Sequence, residues 1–424
     1  MKTVKFITLG CKVNQYDTQE IRERFLNAGM QEVDLKADVY VINSCTVTHK
    51  ADSESLAAIR RSLRENPKAK IIVTGCFAEL DRKKITALKG VRWIVKNKDK
   101  KKIPFGLPGW PENDSITFLH EGITFFKSHA RAFLKIQDGC NNACSYCKVP
   151  LVRGRSISKP LAAIVQEAEQ LAGNSYKEIV LTGVCLGSYG KDLKPHVTLV
   201  SVIDALEKIP GILRIRLSSI EAKDVTDELL QKMAQSQKLC RHLHLPLQSG
   251  DNHILKLMNR RYSREDYLRI IEKSKKIVPG VSITTDILVG FPGEEEQHFS
   301  NTLDLVKKIK PLRVHTFPYS KREGTRCALR GDVPIDPIEV RERMHTLVAL
   351  AEHCSDEFCK EFVGMVCAVL IEGESKKRPG FWEGYTDNYI LVFFPKKGNR
   401  DFSNILAPLR LSTLKNSFVI SELA

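Results

Sequence analysis

Short apolar runs, each giving way to an amphipathic helical stretch, recur along most of this 424-residue chain, and no other feature constrains its fold as much. Repeated strand-then-helix patterning indicates βαβ units around a parallel sheet. In residues 1–112 the strand candidates are 4–9, 38–42 and 70–74, with helical stretches near 16–28, 51–65 and 79–88. Between 127 and 358 six more are expected at 132–137, 178–182, 214–218, 242–247, 282–289 and 312–317. Six such units fit either a doubly wound sheet or an incomplete (β/α)6 barrel, and both place functional residues at the carboxyl ends of strands. Residues 359–424 lose the helical period. Short runs at 365–371, 389–394, 406–411 and 418–420, separated by Gly, Pro and Asn, predict a small all-β barrel. The stretch 113–126, within a Pro-punctuated region, reads as a linker. The expected class is therefore α/β, with a doubly wound N-terminal domain, a central barrel-like domain and a C-terminal β barrel.

Twelve cysteines then demand placement. No apolar run reaches the roughly 18 residues of a membrane span. The opening Met1-Lys2-Thr3-Val4-Lys5-Phe6-Ile7-Thr8-Leu9 is too short in its apolar part for a secretory signal. A cytoplasmic location is expected, where thiols stay reduced and serve as metal ligands or buried apolar groups. Cys11, Cys45 and Cys76 each stand just past the carboxyl end of a predicted strand. Those ends share one edge of an open α/β sheet, so three thiols distant in sequence should converge. Three buried structural cysteines would be the plainer reading. A convergent set suits zinc with a fourth ligand or an iron–sulfur cluster with one open iron.

Cys140, Cys144 and Cys147 form a C-x3-C-x2-C triplet directly after the first strand of the central block. Three thiolates on one tight loop can hold three irons of a [4Fe–4S] cluster and leave the fourth to chelate a small molecule. Zinc is the structural alternative, but its paired C-x2-C units come in twos. A thioredoxin-like reading of Cys144 and Cys147 leaves Cys140 unused. This loop, with Tyr146 before its last cysteine, resembles the signature of radical S-adenosylmethionine enzymes. The stretch from Gly139 to Arg155 resembles their methylthiotransferase branch, and related segments run along the whole chain: LGCKVNQYD, INSCTVTHKAD, TGCFAEL, RIRLSSIE, HLHLPLQSG, TTDILVGFPGE and YSKREGT.

That resemblance implies a methylthiotransferase domain at 1–112, a radical SAM core at 127–358 and a TRAM domain at 359–424. It also implies two [4Fe–4S] clusters and S-adenosyl-L-methionine. Cys140, Cys144 and Cys147 would hold the cluster that binds S-adenosylmethionine. Tyr146 and Gly183 would lie at the cofactor. Cys11, Cys45 and Cys76 would hold an auxiliary cluster carrying the sulfur to be methylated. One S-adenosylmethionine would serve as methyl donor and one as radical source. The details resemble the branch acting on N6-threonylcarbamoyladenosine next to the tRNA anticodon, rather than on isopentenyladenosine or a ribosomal-protein aspartate. Two residues depart from it: Cys185, where relatives carry Asn or His, and Ala222, where the branch often has proline.

The charge agrees with a nucleic-acid partner. The formal net charge is +16, and residues 81–102 hold ten Lys/Arg against two Asp. A phosphate-contacting surface and a merely solvated face are both open for that run. The anticodon stem-loop, whose bases can be splayed out and read, is the expected RNA element. An electron donor such as flavodoxin or ferredoxin is implied, and no membrane. Arg153 and Arg155 are candidate phosphate or carboxylate contacts. Cys240, Cys327, Cys354, Cys359 and Cys367 are expected to be packing residues, and His242 and His244 to be packed or hydrogen bonded. A non-catalytic zinc-thiolate RNA-binding protein is the rival from another class.

Overall fold

The computed structural model describes residues 2–110, 122–127, 130–331, 333–398, 400–415 and 417–423. The N-terminal sheet contains β1 (Thr3–Thr8), β2 (Gln31–Glu32), β3 (Val39–Ser44), β4 (Lys70–Gly75) and β5 (Val91–Ile94). All are parallel, in the order β2-β1-β3-β4-β5. Strand β3, Val-Tyr-Val-Ile-Asn-Ser, is buried along its whole length, as a central strand covered on both faces must be. Helix α1 (Lys12–Asn27) packs Ile21 and Phe25 with Val39 and Val41 on one face. Helix α2 (His49–Glu65) packs Ala58 and Ile59 with Tyr40 and Ile42 on the other. Sequence patterning missed β2, which is two residues long, and β5, whose apolar alternation is broken by Arg92. The helix expected at 79–88 is two short ones, α3 (Cys76–Leu80) and α4 (Arg82–Thr86), with Asp81 at the break.

The central unit is a parallel half-barrel. Its strands are β6 (Arg131–Lys135), β9 (Glu178–Thr182), β10 (Arg214–Leu217), β11 (His242–His244), β12 (Ser282–Val289) and β13 (Arg313–Pro318). The two-residue strands β7 (Gln137–Asp138) and β8 (Ile157–Ser158) pair at the base of the loop after β6. Two three-stranded sheets, β6-β9-β10 and β11-β12-β13, are joined by bridges Ile215↔Leu239 and Ser219↔His244. Helices Leu161–Gly173, Leu199–Glu207, Asp227–Gln235, Arg264–Ile277 and Glu296–Ile309 cover the outside. Several start on side-chain caps, among them Thr198, Thr226 and Ser263. The doubly wound alternative is thereby excluded for this block.

A half-barrel leaves a gap between its edge strands β6 and β13, and the N-terminal unit fills it. Helix α1 packs along β6. Its Tyr16 enters the central core, and the Tyr16 hydroxyl donates to Glu167 at 2.7 Å. At the other edge, Arg322 beyond β13 donates to Thr46 at 3.0 Å and Asp52 at 2.5 Å. Of the expected linker 113–126, residues 113–121 lie outside the described ones. Residues 122–126 pack, with Ile123 and Phe126 buried in the central core and the Thr124 amide bonded to Glu23.

The C-terminal unit is a closed barrel of β14 (Val366–Glu374), β15 (Phe381–Thr386), β16 (Leu391–Pro395), β17 (Ile405–Lys415) and β18 (Phe418–Leu423), ordered β14-β15-β16-β18-β17. The strand β15 was not anticipated. The turn after it plugs the amino end of the half-barrel: Arg216 donates to the Asp387 and Thr386 carbonyls at 2.9 and 3.1 Å, and Arg214 to the Tyr385 carbonyl at 2.8 Å.

Candidate active site: two cysteine triplets at facing strand ends

The dispersed triplet converges. Cys11 caps α1, Cys45 follows β3 and Cys76 opens α3 directly after β4. Asn14 ties two of these ends together, donating to the Leu9 carbonyl at 2.8 Å and the Ser44 carbonyl at 3.1 Å. Ser44 donates to the Thr74 carbonyl at 2.5 Å and so joins the third. Gly10 shows how close the approach is. It has φ +91°, and a Cβ there would lie 2.7 Å from Cys45 Sγ, which only glycine permits. Burial pushes the Cys45 thiol up to about 11, with Cys76 and Cys11 adding repulsion. Burial also raises Cys76, against the pull of Arg153 and Lys100.

The compact triplet sits on the loop between β7 and α-helical Val149–Arg153. Gly139, at φ +73°, lets that loop pass the backbone of Arg155, whose carbonyl oxygen would be 2.0 Å from a Cβ. Donors already face the sulfurs. The Asn142 amide points at Cys140, the Val149 amide at Cys147 and Arg260 Nη1 at Cys144, each at 3.4 Å. Cys185 stands beside this loop. Its thiol donates to Cys140, which holds Cys140 below the ordinary thiol range and pushes Cys185 up. Arg260, which sequence reasoning passed over, also pairs with Glu221. Only its place in an Asn-Arg-Arg run could have drawn attention to it.

Tyr146 packs edge-on against Phe291, with ring centroids 6.2 Å apart. Gly183 gives room to Gln137, whose Oε1 would be 2.9 Å from a Cβ at 183. Gln137 in turn accepts from the Cys185 amide at 2.8 Å and donates to the Gly139 carbonyl at 2.7 Å.

The thiol spacing tests what either set can hold. A tetrahedral zinc with Zn–S bonds of about 2.3 Å keeps its sulfurs about 3.8 Å apart. Among the described residues, the one group of three ligand atoms within 4.8 Å of one another is His244, Asp286 and His315; neither cysteine triplet is drawn in so tightly. That wider spacing, with positively polarised donors around the sulfurs, fits an iron–sulfur cluster better than a single ion.

Asp17 couples the two sites. This buried carboxylate on α1 meets Lys100 at 2.7 Å, Arg153 at 3.3 Å and Lys135. The three cations hold it far below the usual carboxylate range. Arg153, six residues beyond Cys147, also donates to Asn14 at 2.5 Å and to Asp138, and its charge acts on Cys76 and Cys11. It is therefore an interdomain tie and not a surface contact. The basic run is likewise divided. Lys100 is buried in this tie, while Lys98 and Lys101 line a cavity of about 580 Å³ with Lys135 and Arg155. Of the remaining cysteines, Cys240, Cys327, Cys354 and Cys359 are buried and Cys367 is half-buried. His242 and His244 both contact Thr284 Oγ1, at 2.9 and 2.8 Å.

An open parallel barrel with a three-cysteine loop after its first strand defines a radical S-adenosylmethionine enzyme. The Radical SAM superfamily matches residues 134–306, and the family described as Uncharacterized protein family UPF0004 matches residues 3–95. Radical S-adenosylmethionine methyltransferase TsrM from Kitasatospora setae shares the fold, with TM-score 0.55 at 12% identity over 78% of this chain and 77% of that one. Among curated proteins, the threonylcarbamoyladenosine tRNA methylthiotransferase MtaB of Bacillus subtilis is 39% identical, covering 100% of this chain and 96% of the relative. The tRNA-2-methylthio-N(6)-dimethylallyladenosine synthase of Syntrophomonas wolfei is 35% identical over 99% and 97%. The chain belongs to the tRNA methylthiotransferases of the MtaB and MiaB type. The family brings with it a [4Fe–4S] cluster and S-adenosylmethionine. No described helix is long and apolar enough to cross a membrane.

Proposed function

We propose that this enzyme methylthiolates C2 of N6-threonylcarbamoyladenosine next to the anticodon, in the cytoplasm, with electrons from a flavodoxin- or ferredoxin-like donor. The observation that carries the reading is the pair of cysteine triplets, one on each side of the α1 contact, together with the relatives whose printed activity is on that nucleoside. Cys140, Cys144 and Cys147 would hold the cluster that chelates S-adenosylmethionine, with Tyr146 and Gly183 beside the cofactor. Cys11, Cys45 and Cys76 would hold the auxiliary cluster. When bound, these groups supply a carbon-centred radical for hydrogen abstraction and the sulfur, with one S-adenosylmethionine consumed as methyl donor and one as radical source.

The chain's own residues do the rest. The α1 amino end directs its positive dipole at the Cys11 site and favours negative sulfur there. Arg153 and Lys100 add charge of the same sign. Arg260 and the Asn142 and Val149 amides do the same for the other site. The Asp17 tie fixes the separation of the two sites, which a reaction shared between them requires. Domains divided at 1–112, 127–358 and 359–424 then act as sulfur carrier, radical generator and RNA-side module.

Nucleoside mass spectrometry of tRNA from a deletion strain tests the substrate. The 2-methylthio form of N6-threonylcarbamoyladenosine should disappear and its precursor accumulate. Loss of 2-methylthio-isopentenyladenosine instead would reassign the enzyme.

A further inference from the structure

The roles above use the strand ends and leave the polar interior of the half-barrel unexplained. The side chains of β11 to β13 that turn away from the outer helices include His244, Thr284, Asp286, Arg313 and His315. They form one ordered surface: His244 Nε2 lies 3.3 Å from Asp286, and the rings of His244 and His315 are 5.8 Å apart. Its floor is Tyr389 of the C-terminal barrel, stacked on His242 at 4.6 Å, with the Arg313 guanidinium 5.6 Å from the Tyr389 ring. Helix α1 adds Lys12, next after Cys11, its ammonium 5.9 Å from the centre of the Phe133 ring. Lys12 and His315 are both exposed, and the Lys12 ammonium acts on both His315 and Asp286. They border open space within the barrel.

The charges on this surface do not balance. Arg216 is paired with Glu178 at 2.6 Å and Arg131 with Glu372, while Asp286 meets His244, a partner that carries charge only when protonated. Among the described residues, the side chains of Lys12 and Arg313 have neither an ion pair nor a hydrogen bond and make only ring contacts. His244, Asp286 and His315 have the spacing for one divalent ion. Lys12 and Arg313, two uncompensated cations set against the single carboxylate of Asp286, oppose a divalent cation there and favour an anion. A lysine and an arginine with unused donors suit a carboxylate.

The threonylcarbamoyl group ends in a carboxylate, whereas an isopentenyl group is apolar. Lys12 adjoins Cys11, so its ammonium is within a side chain's reach of a base presented at the auxiliary site. We infer that Lys12 and Arg313 bind the threonyl carboxylate and select this nucleoside over adenosines with an apolar N6 group. The inference rests on the substrate reading proposed above.

The test is binding of the anaerobically reconstituted holoenzyme to three anticodon stem-loops, carrying N6-threonylcarbamoyladenosine, N6-isopentenyladenosine or adenosine. The parent protein should prefer the first. Lys12→Gln and Arg313→Gln should each weaken that complex by about ten- to a hundredfold, the worth of a charge-assisted hydrogen bond. Affinity for the adenosine stem-loop should not change, which also reports an intact fold, and Lys12→Arg should retain most of the preference. Iron content and the cluster absorption spectrum check that Lys12→Gln has not disturbed its neighbour Cys11. A preference that survives in both glutamine variants overturns the inference and leaves the substrate reading standing. Equal weakening for all three stem-loops overturns it too, because it marks a backbone phosphate contact. A parent protein with no preference sinks the substrate reading itself.

Discussion

Cys140, Cys144 and Cys147 share one eight-residue loop, whereas Cys11, Cys45 and Cys76 follow three different strands and are spread over 66 residues. The first set is positioned by its own loop and by donors close to it. The second exists only when β1, β3 and β4 stand side by side and Asn14 holds their ends. A compact ligand set tolerates distant change and fails locally. A dispersed one fails wherever its sheet or its seat against the half-barrel is disturbed.

The largest effect should come from replacing Cys140, Cys144 and Cys147 together with alanine. Deoxyadenosine formation should fall to background while iron and sulfide bound at Cys11, Cys45 and Cys76 persist, so iron content drops by about half. Loss of all iron from a folded variant, judged by circular dichroism, would show that the two sets are not independent.

Asp17→Asn attacks the seat between them. It leaves Lys100, Lys135 and Arg153 without their shared carboxylate, at a cost of about 3–5 kcal/mol. Thermal unfolding should shift down, and methylthio product should fall more than deoxyadenosine. Because Asp17 titrates lower in the folded state than in the unfolded one, its stabilisation is complete above about pH 4 and is lost as pH falls below that. The difference between parent and variant should therefore shrink in acid. An equal difference at pH 3 and pH 7 would refute the electrostatic account.

Smaller and more selective is the pair Gly10→Ala and Gly139→Ala. Each forces a side chain into a left-handed conformation, about 1–3 kcal/mol of strain. The first should lower iron retention at the dispersed site, the second at the compact loop, as read by metal analysis in the background of the alanine triple at the other site. The smallest effect is expected of Cys185→Ala in the metal-free protein. Without the donated thiol hydrogen, Cys140 should titrate higher, and its alkylation below pH 8 should slow severalfold. An unchanged rate would mean that the Cys185 contact does not govern Cys140.

Much of this was legible in the amino-acid order. Strand candidates in the first two blocks match observed strands to within a few residues, because apolar runs that pass through a doubly covered sheet leave no other period to read. The position of Cys11, Cys45 and Cys76 after strands was enough to expect convergence. The exceptions have physical causes. The strand β15, Phe-Trp-Glu-Gly-Tyr-Thr, is interrupted by Gly384 and escaped notice. Arg153 resembled a surface arginine because nothing local reveals that Asp17, 136 positions earlier, is its partner.

What the sequence determined alone is therefore local: alternating elements, a cysteine loop whose spacing specifies its chemistry, and thiols placed at strand ends. Tertiary structure decided the rest. Whether the half-barrel's gap is closed depends on α1 packing against β6. Whether Lys100 binds RNA or Asp17 depends on burial, as does the turning of Lys12 and Arg313 toward one interior space. Contacts between residues so far apart carry no period and no spacing, because only the packing of finished elements brings them together.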